Sequence, residues 1–348
     1  GARRMHNVKK KQLSRDQVAA RRHENVKRAA HYNSLSRAAM ARRVAGMLDL
    51  DSLAASAKVI EVNPDHSTMW NFRRECLQAM HGERAPASED AGAADSLRQA
   101  CEGEFALTQA CLAINPKSYP VWFHRMWVLQ WGRCEWAYPR ELKLTTKLLA
   151  LDDRNFHCWT HRRFVVRASS VPGRSELQFT LDKVESNFSN YSAWHYRSKL
   201  LPRLLTEPGT LRSALVAELE LLRNAFFTAP EDQSAWFYHR WVLAQLAPPA
   251  GGEPGADGAS ASWDHILRSE LAMLRELREM EPEAKWPLAS SAHILSLLAD
   301  ESGGGGDGAT ALTEAEAHEL ADALATLQRI DPARTHFYSA QAGRVRPA

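Results

Sequence analysis

The chain has 348 residues, of which 45% are hydrophobic and 24% are charged, and its formal net charge is +3. This length allows one array of repeats or two ordinary domains, and so small a net charge excludes a polyelectrolyte. The five cysteines are odd in number and form no Cys-x-x-Cys pair, which argues against a disulfide framework or a zinc ribbon.

The first element is a basic segment, residues 1–43, with thirteen Lys and Arg against Asp16 and Glu24. A helix is predicted from about Ser14. Such charge is typical of contacts with nucleic acid, an anionic membrane or an acidic partner, and also of a solvated helix that covers a neighbour. Tyr32 is its only aromatic residue able to stack on a base, so we favour the solvated helix and expect no nucleic-acid partner.

A tryptophan motif then recurs five times, and its clearest copy is Asn115–Arg125, NPKSYPVWFHR. Each copy opens on Asn, Asp or Ala, often followed by Pro, and we expect a helix to begin there. The Trp follows about two turns later and an Arg three or four residues after it, so the Trp is expected to pack and the Arg to satisfy carbonyls of the neighbouring repeat or a partner. The motif residues are Trp70, Trp122, Trp159, Trp194 and Trp236. This period predicts an all-α solenoid of antiparallel helical hairpins.

The predicted layout is a single helical domain with inserted linkers. Residues 44–246 hold the five repeats, and residues 84–96 within them form a small-residue loop before a helix over 97–114. Residues 247–262 are rich in Gly, Pro, Ala and Ser and are predicted to be a flexible linker. Residues 263–348 form an atypical C-terminal repeat and terminal helices, interrupted by a second linker at 301–309. Strand signals are absent from the sequence.

No metalloprotease, nucleophile-elbow, Walker or dinucleotide motif occurs in the sequence, so the chain alone shows no complete catalytic apparatus. Five residues before the motif Trp, only the second and third copies carry a cation, Lys117 and Arg154. Each is expected in the first turn of a helix, where free N–H groups favour an anion. Tyr119 adds a hydroxyl, with Asn155 and His157 across the gap. The pattern predicts a phosphate-binding edge; the alternative is two surface cations on solvent-facing turns.

The repeats resemble the α subunits of protein prenyltransferases, and most closely that of Rab geranylgeranyltransferase, type II. The resemblance covers most of residues 5–345. The segments that carry it are 115–125 (NPKSYPVWFHR), 154–165 (RNFHCWTHRRFV), 187–201 (NFSNYSAWHYRSKLL), 224–243 (NAFFTAPEDQSAWFYHRWVL) and 276–286 (ELREMEPEAKW).

This resemblance implies a crescent-shaped, right-handed α-α superhelix wrapped around a β subunit that holds the zinc and the lipid pocket. The heterodimer would move geranylgeranyl from geranylgeranyl diphosphate to C-terminal cysteines of Rab GTPases, presented by a Rab escort protein. Near the diphosphate the resemblance implies Lys117 and Tyr119, as catalytic residues, with Asn155 and His157. Arg154 is added to this edge from its charge alone.

Further expectations concern the ends of the chain and its location. The opening Met5-His6 resembles the start of this subunit, which implies that His6 reaches the zinc of the partner; Gly1–Arg4 precede it. Vertebrate α subunits carry an immunoglobulin-like insert and a leucine-rich-repeat domain. Here the linker replaces the insert and the chain stops at residue 348, so we expect a minimal catalytic form. Without a signal peptide or 18 consecutive apolar residues, we expect a cytoplasmic protein.

Two alternatives remain open. One is a helical-repeat adaptor without chemistry; the other is the α subunit of farnesyltransferase or of geranylgeranyltransferase type I. The cations at Lys117 and Arg154, with Tyr119, favour an enzyme subunit, because an adaptor does not need them. Phe156 stands where the farnesyltransferase α subunit has Tyr, which favours the Rab-type enzyme.

Overall fold

The computed structural model describes residues 14–83, 91–207, 209–248, 259–302 and 312–343, and these ranges are helical without any strand. The predicted all-α fold of antiparallel hairpins is confirmed. The α-helices are α1 Arg15–Val44, α2 Leu50–Val62, α3 Ser67–His81, α4 Ala91–Ile114, α5 Tyr119–Trp131, α6 Tyr138–Leu151, α7 Phe156–Ala168, α8 Gly173–Ser186, α9 Tyr191–Leu204, α10 Thr210–Thr228, α11 Gln233–Leu246, α12 Ala259–Met280, α13 Lys285–Ser302, α14 Glu314–Ile330 and α15 Thr335–Ala342.

The chain divides into two compact units, Gly1–Val171 and Pro172–Ala348. In the first unit the motif helices α3, α5 and α7 each pack on the helix before them, and in the second unit α9 and α11 do the same. The core of the first unit includes Leu77, Phe105, Leu129 and Val165, all buried. The predicted grouping of all repeats into one domain stays a prediction.

Three predicted boundaries are wrong. Residues 91–96, predicted as loop, belong to α4, and residues 259–262, predicted as linker, open α12. Residues 301–302 likewise continue α13 instead of beginning the second linker. Alanine and serine dominate these stretches, and both are tolerated in helices once a neighbouring helix packs on them. The remaining parts of those loops, residues 84–90, 249–258 and 303–309, lie outside the described residues.

The predicted helix starts at the opening Asn or Asp are also wrong. Asn63 and Asp152 end the preceding helix, because their N–H groups donate to Val59 O (2.9 Å) and Leu148 O (3.0 Å). Their side chains accept the N–H two residues further on, which forms an Asx turn. Motif helices therefore begin four residues after the opening residue, at Ser67, Tyr119, Phe156, Tyr191 and Gln233.

The motif tryptophans lock this turn onto the helix that follows it. Each indole Nε1 donates a 2.8 Å hydrogen bond to the carbonyl six residues earlier, and all five residues are buried. The accepting carbonyls belong to Pro64, Pro116, Asp153, Phe188 and Pro230. Tryptophan combines large apolar area with one donor, so no other apolar residue can replace both contacts.

The arginine three residues after the Trp joins successive hairpins through a buried carboxylate. Arg125, fully buried, donates from Nε and Nη2 to Glu141 at 2.6 and 2.7 Å. Its Nη1 donates to Phe105 O and Thr108 Oγ1 in the first helix of its own hairpin. Glu141, on α6, also accepts from His161 Nε2 of α7 at 2.9 Å. One carboxylate thus links two repeats, whereas the predicted carbonyl contact lies inside the repeat.

The same arrangement recurs in both units. In the first, Glu104 accepts from Arg73 and from His124; in the second, Glu218 accepts from Arg197 and Tyr238. In the fifth copy His239 takes the place of the arginine and pairs with Glu270 at 2.9 Å. We call Glu104, Glu141, Glu218 and Glu270 the inter-repeat carboxylates.

Two of these carboxylates, Glu104 and Glu141, stay ionised despite their burial. Burial alone would raise the pKa of Glu141, but hydrogen bonds from His161 and Arg125, together with the charge of Arg125, lower it to about 2. Glu104 behaves in the same way, with burial opposed by Arg73 and His124, and its pKa is also about 2. Burial lowers the pKa of His161, so the neutral ring donates from Nε2.

Removing the charge of Glu141 is expected to destabilise the fold strongly. Glu141→Gln leaves Arg125 buried without a counter-charge, and breaking such a pair costs about 3–5 kcal/mol. The matched control is Glu102→Gln, whose pair with Arg140 is partly exposed on both sides and should cost about 1 kcal/mol or less. Urea denaturation followed by far-ultraviolet circular dichroism measures both. Equal losses would show that the inter-repeat carboxylates are not specially important.

The fold is also expected to lose stability in acid. The folded pKa of about 2 for Glu104 and Glu141 lies below the ordinary 4.5, so both stabilise fully above pH 4.5. Their contribution falls as the pH drops from 4.5 toward 2, because the unfolded chain takes up protons first. Melting temperatures across this window should fall more steeply for the natural chain than for Glu141→Gln. Parallel curves would contradict this assignment.

Candidate functional site

Asn155 connects the turns that precede α5 and α7. Its Nδ2 donates to Pro116 O at 2.9 Å, and its Oδ1 accepts the Cys158 N–H at 3.2 Å, which caps α7. The side chain is 1% exposed. Both the amide nitrogen and the amide oxygen of Asn155 are therefore hydrogen-bonded within the protein. The residue positions the two turns that carry the other predicted site residues.

Lys117 lies in the first of these turns, one residue before the N-cap Ser118, so the prediction that it sits in the first helical turn is wrong. Its Nζ pairs with Asp152 Oδ2 at 3.0 Å, and its side chain is 36% exposed. The other oxygen of Asp152 accepts the Arg154 N–H at 3.1 Å. Arg154 likewise precedes its N-cap, Asn155. The Asx turns displace both cations from the helices, and Asp152 contacts both positions.

Tyr119 and His157 form the aromatic part of the site. Tyr119 is the first residue of α5 and is 67% exposed, with its ring edge-on to His157 at 4.1 Å between centroids. Phe156 lies 5.9 Å from the same ring. His157 is buried, and burial, together with the charge of Lys117, lowers its pKa, so the ring is neutral at pH 7. The structure thus brings Lys117, Tyr119, Asn155 and His157 together.

Exposed aromatic residues lie beside this edge in the first unit and at equivalent positions in the second, and the sequence analysis missed them. They occupy the positions three before and one after the motif Trp, which share one face of a helix because they are four residues apart. In the first unit they are Tyr119, Phe123 and Phe156, and in the second Tyr191 and Phe237, with 42–67% of each exposed. Aromatic residues at these two offsets were the signal available in the sequence. Tyr119 contacts Phe156 at 5.9 Å and Tyr191 contacts Phe237 at 6.4 Å between ring centroids, and adjoining exposed apolar groups are typical of an interaction surface.

The described ranges offer neither a metal site nor a membrane span. No group of three His, Cys, Asp or Glu residues in them is placed to hold a metal ion. His6, predicted to reach a partner's zinc, lies outside those ranges. Among the described helices, none combines the length and the apolar character needed to cross a bilayer.

Five segments match the protein prenyltransferase alpha subunit repeat: residues 49–80, 101–132, 138–169, 174–204 and 215–246. Geranylgeranyl transferase type-2 subunit alpha of Dictyostelium discoideum is 35% identical over 96% of this chain and 98% of its own length. The protein of that name from Homo sapiens is 43% identical over 70% of this chain. This chain spans only 42% of the length of the mammalian relatives that it matches.

A solved structure supports the fold independently. Candida albicans protein geranylgeranyltransferase-I complexed with GGPP contains a chain that aligns with a TM-score of 0.63. The alignment covers 91% of each chain at 16% identity. At this identity the likeness establishes the helical-repeat fold.

Asn155 is expected to stabilise the fold more than a residue that only caps a helix. Asn190 caps α9 through Ala193 N–H at 3.1 Å, but among the described residues its Nδ2 has no partner. Asn190→Ala should therefore lose only the cap, about 1 kcal/mol. Asn155→Ala should lose about 1 kcal/mol more, for the bond to Pro116. Urea denaturation of the two variants compares them; equal losses would show that the link between turns contributes nothing.

Proposed function

The chain belongs to the protein prenyltransferase alpha subunit family, and we propose that it is the α subunit of a Rab geranylgeranyltransferase, type II. The observation that carries this proposal is the similarity to the Dictyostelium subunit along 98% of that protein's length. In the proposed reaction a heterodimer transfers geranylgeranyl from its diphosphate to C-terminal cysteines of Rab GTPases. A β subunit, a Rab escort protein and a cytoplasmic location belong to the same proposal.

The exposed aromatic residues support the proposal that a partner chain covers this surface. A β subunit that covers the first unit would bury the exposed rings of Tyr119, Phe123 and Phe156. Tyr191 and Phe237 occupy the equivalent positions in the second unit. An adaptor also has a partner surface, but it has no use for a cation and a neutral histidine grouped beside it.

The reaction requires a group that stabilises the negative charge that develops on the leaving diphosphate. As the cysteine sulfur bonds to C1 of the lipid, the C1–O bond breaks and its electron pair remains on the diphosphate oxygen. Lys117 can stabilise this charge, and Tyr119 can donate a hydrogen bond to the same oxygens. In the free chain Asp152 holds the Lys117 ammonium at 3.0 Å, so the cation is positioned but neutralised. A diphosphate carries more charge than one carboxylate and can compete for it.

Zinc is proposed on the β subunit, where it would lower the pKa of the acceptor thiol. The described residues of this chain do not form a set that fits the ion. All five cysteines are buried and none forms a disulfide. Burial raises the pKa of Cys76 and Cys111 to about 11, which makes these two thiols poor metal ligands at pH 7. A contact from His6 to the partner's zinc stays a prediction.

Reconstitution tests the proposal. The chain is co-expressed with a β subunit of the type-2 or the type-1 enzyme, and geranylgeranyl transfer is measured to a Rab with its escort protein or to a short C-terminal peptide. We expect transfer to the Rab only with the type-2 β subunit, and none from either chain alone. Transfer to the peptide with the type-1 β subunit alone would contradict the type assigned, and no transfer in any combination would contradict the function.

Lys117→Ala is expected to slow the chemical step. Because the charge that Lys117 meets grows in the transition state, the single-turnover rate should fall about tenfold to a hundredfold, or about 1.4–2.7 kcal/mol. Affinity for the diphosphate should change less. Lys147→Ala, an exposed lysine on α6, is the matched control. An unchanged rate in assembled Lys117→Ala heterodimer would assign Lys117 to a solvent-facing turn.

A further inference from the structure

The second unit contains a cavity that the proposed reaction does not use. Its volume is about 370 Å³, and it opens between α11, α13 and α15. Four aromatic residues and four basic residues contribute to its lining: Phe237, Trp286, Phe337 and Tyr338, with Arg240, Lys285, His293 and Arg334. We call it the cationic pocket.

One buried carboxylate outside the lining, Asp331, is shared by two of these cations. Asp331 Oδ2 pairs with Lys285 Nζ at 3.1 Å and with Arg334 Nη1 at 2.8 Å. The same oxygen accepts a hydrogen bond from the Tyr338 hydroxyl at 2.9 Å. Asp331 can offset only one of the two positive charges, so this side of the pocket stays positive.

Arg240, on α11, adds a further positive charge to the lining. Within the described part of the chain, no carboxylate is among the groups that act on its guanidinium. Burial, and then the charge of Arg334, lower its pKa, with Tyr338 acting in the opposite direction. Burial and the nearby Arg240 lower the pKa of His293 to about 4, so that ring is neutral at pH 7. A half-buried guanidinium without a counter-ion is costly, which indicates a site for an anion.

The aromatic residues of the pocket indicate what kind of ligand carries that anion. Phe237 and Phe337 are 42% and 51% exposed, and Trp286 packs edge-on against Phe237 at 5.4 Å. An apolar group beside the anion would cover these rings, as a peptide side chain next to an acidic residue does. Phe237 also belongs to the exposed aromatic positions that support a β subunit, so the pocket continues that surface within the second unit.

We infer that the cationic pocket receives a carboxylate from a segment of the β subunit, with an apolar side chain of that segment against Phe237 and Phe337. This inference rests on the proposed function. The planar fork of Arg240 suits a carboxylate, which it can hold through two parallel hydrogen bonds. Once the β subunit covers the pocket, both charges lose water, so loss of one leaves the other buried and unpaired.

The test measures the dissociation constant of the purified heterodimer for variants of this chain. Arg240→Met keeps much of the side-chain volume and should raise the constant about tenfold to a hundredfold, which equals about 1.4–2.7 kcal/mol. Arg240→Lys keeps the charge, so its dissociation constant should lie between those of the natural chain and Arg240→Met. Phe337→Glu places a carboxylate at the exposed rim and should also weaken assembly. Arg329→Met is the matched control, because Arg329 pairs with Glu283 on the surface outside the pocket lining.

The salt dependence of the dissociation constant distinguishes a contact between charges from apolar packing alone. Between about 0.05 and 0.5 M NaCl, the dissociation constant of the natural heterodimer should rise more steeply than that of Arg240→Met. Constants for both Arg240→Met and Phe337→Glu within about twofold of the natural value would overturn the inference while the proposed function stands. If the natural chain forms no complex with a β subunit, both proposals fail.

Discussion

The inter-repeat carboxylates are the interaction on which the rest of the structure depends. Glu141 is removed from water and is held by Arg125 from one hairpin and His161 from the next. A buried charge with three directed donors permits few positions, so it fixes the spacing of consecutive hairpins more narrowly than apolar packing can. Within each unit this constraint also fixes the turns that precede the second helices. Those turns, with the helix starts that follow them, carry every predicted site residue that the structure describes.

The candidate site is a consequence of that spacing. Because consecutive hairpins are held in register, the Asn155 amide reaches Pro116 O and the Lys117 ammonium reaches Asp152. The cation is therefore held beside the site before any ligand arrives, and a diphosphate has to draw it away from Asp152. The neighbouring aromatic residues remain exposed because the motif Trp already fills the core side of the same helix. In the proposed heterodimer one helix face thus serves both the reaction and the assembly.

The sequence predicts the repeats well because the Trp and Arg follow a fixed spacing inside one helix. It mispredicts the helix starts, because an Asn that ends one helix with an Asx turn and an Asn that caps the next are the same residue type. An aspartate can serve equally well, since Asp152 makes the same turn and also pairs with Lys117. The partners Glu141 and Glu218 could not be predicted, since they lie 16 and 21 residues after their arginines. Only tertiary packing across loops of unequal length brings them together.

The proposed role of Lys117 and Tyr119 is tested most directly by a crystal structure of the heterodimer with geranylgeranyl diphosphate bound. We expect Lys117 Nζ within about 3 Å of a diphosphate oxygen, and the Tyr119 hydroxyl within about 3 Å of the same group. The β subunit should cover Phe123 and Phe156. A diphosphate bound entirely by the β subunit, with Lys117 still paired only with Asp152 and facing solvent, would contradict the account.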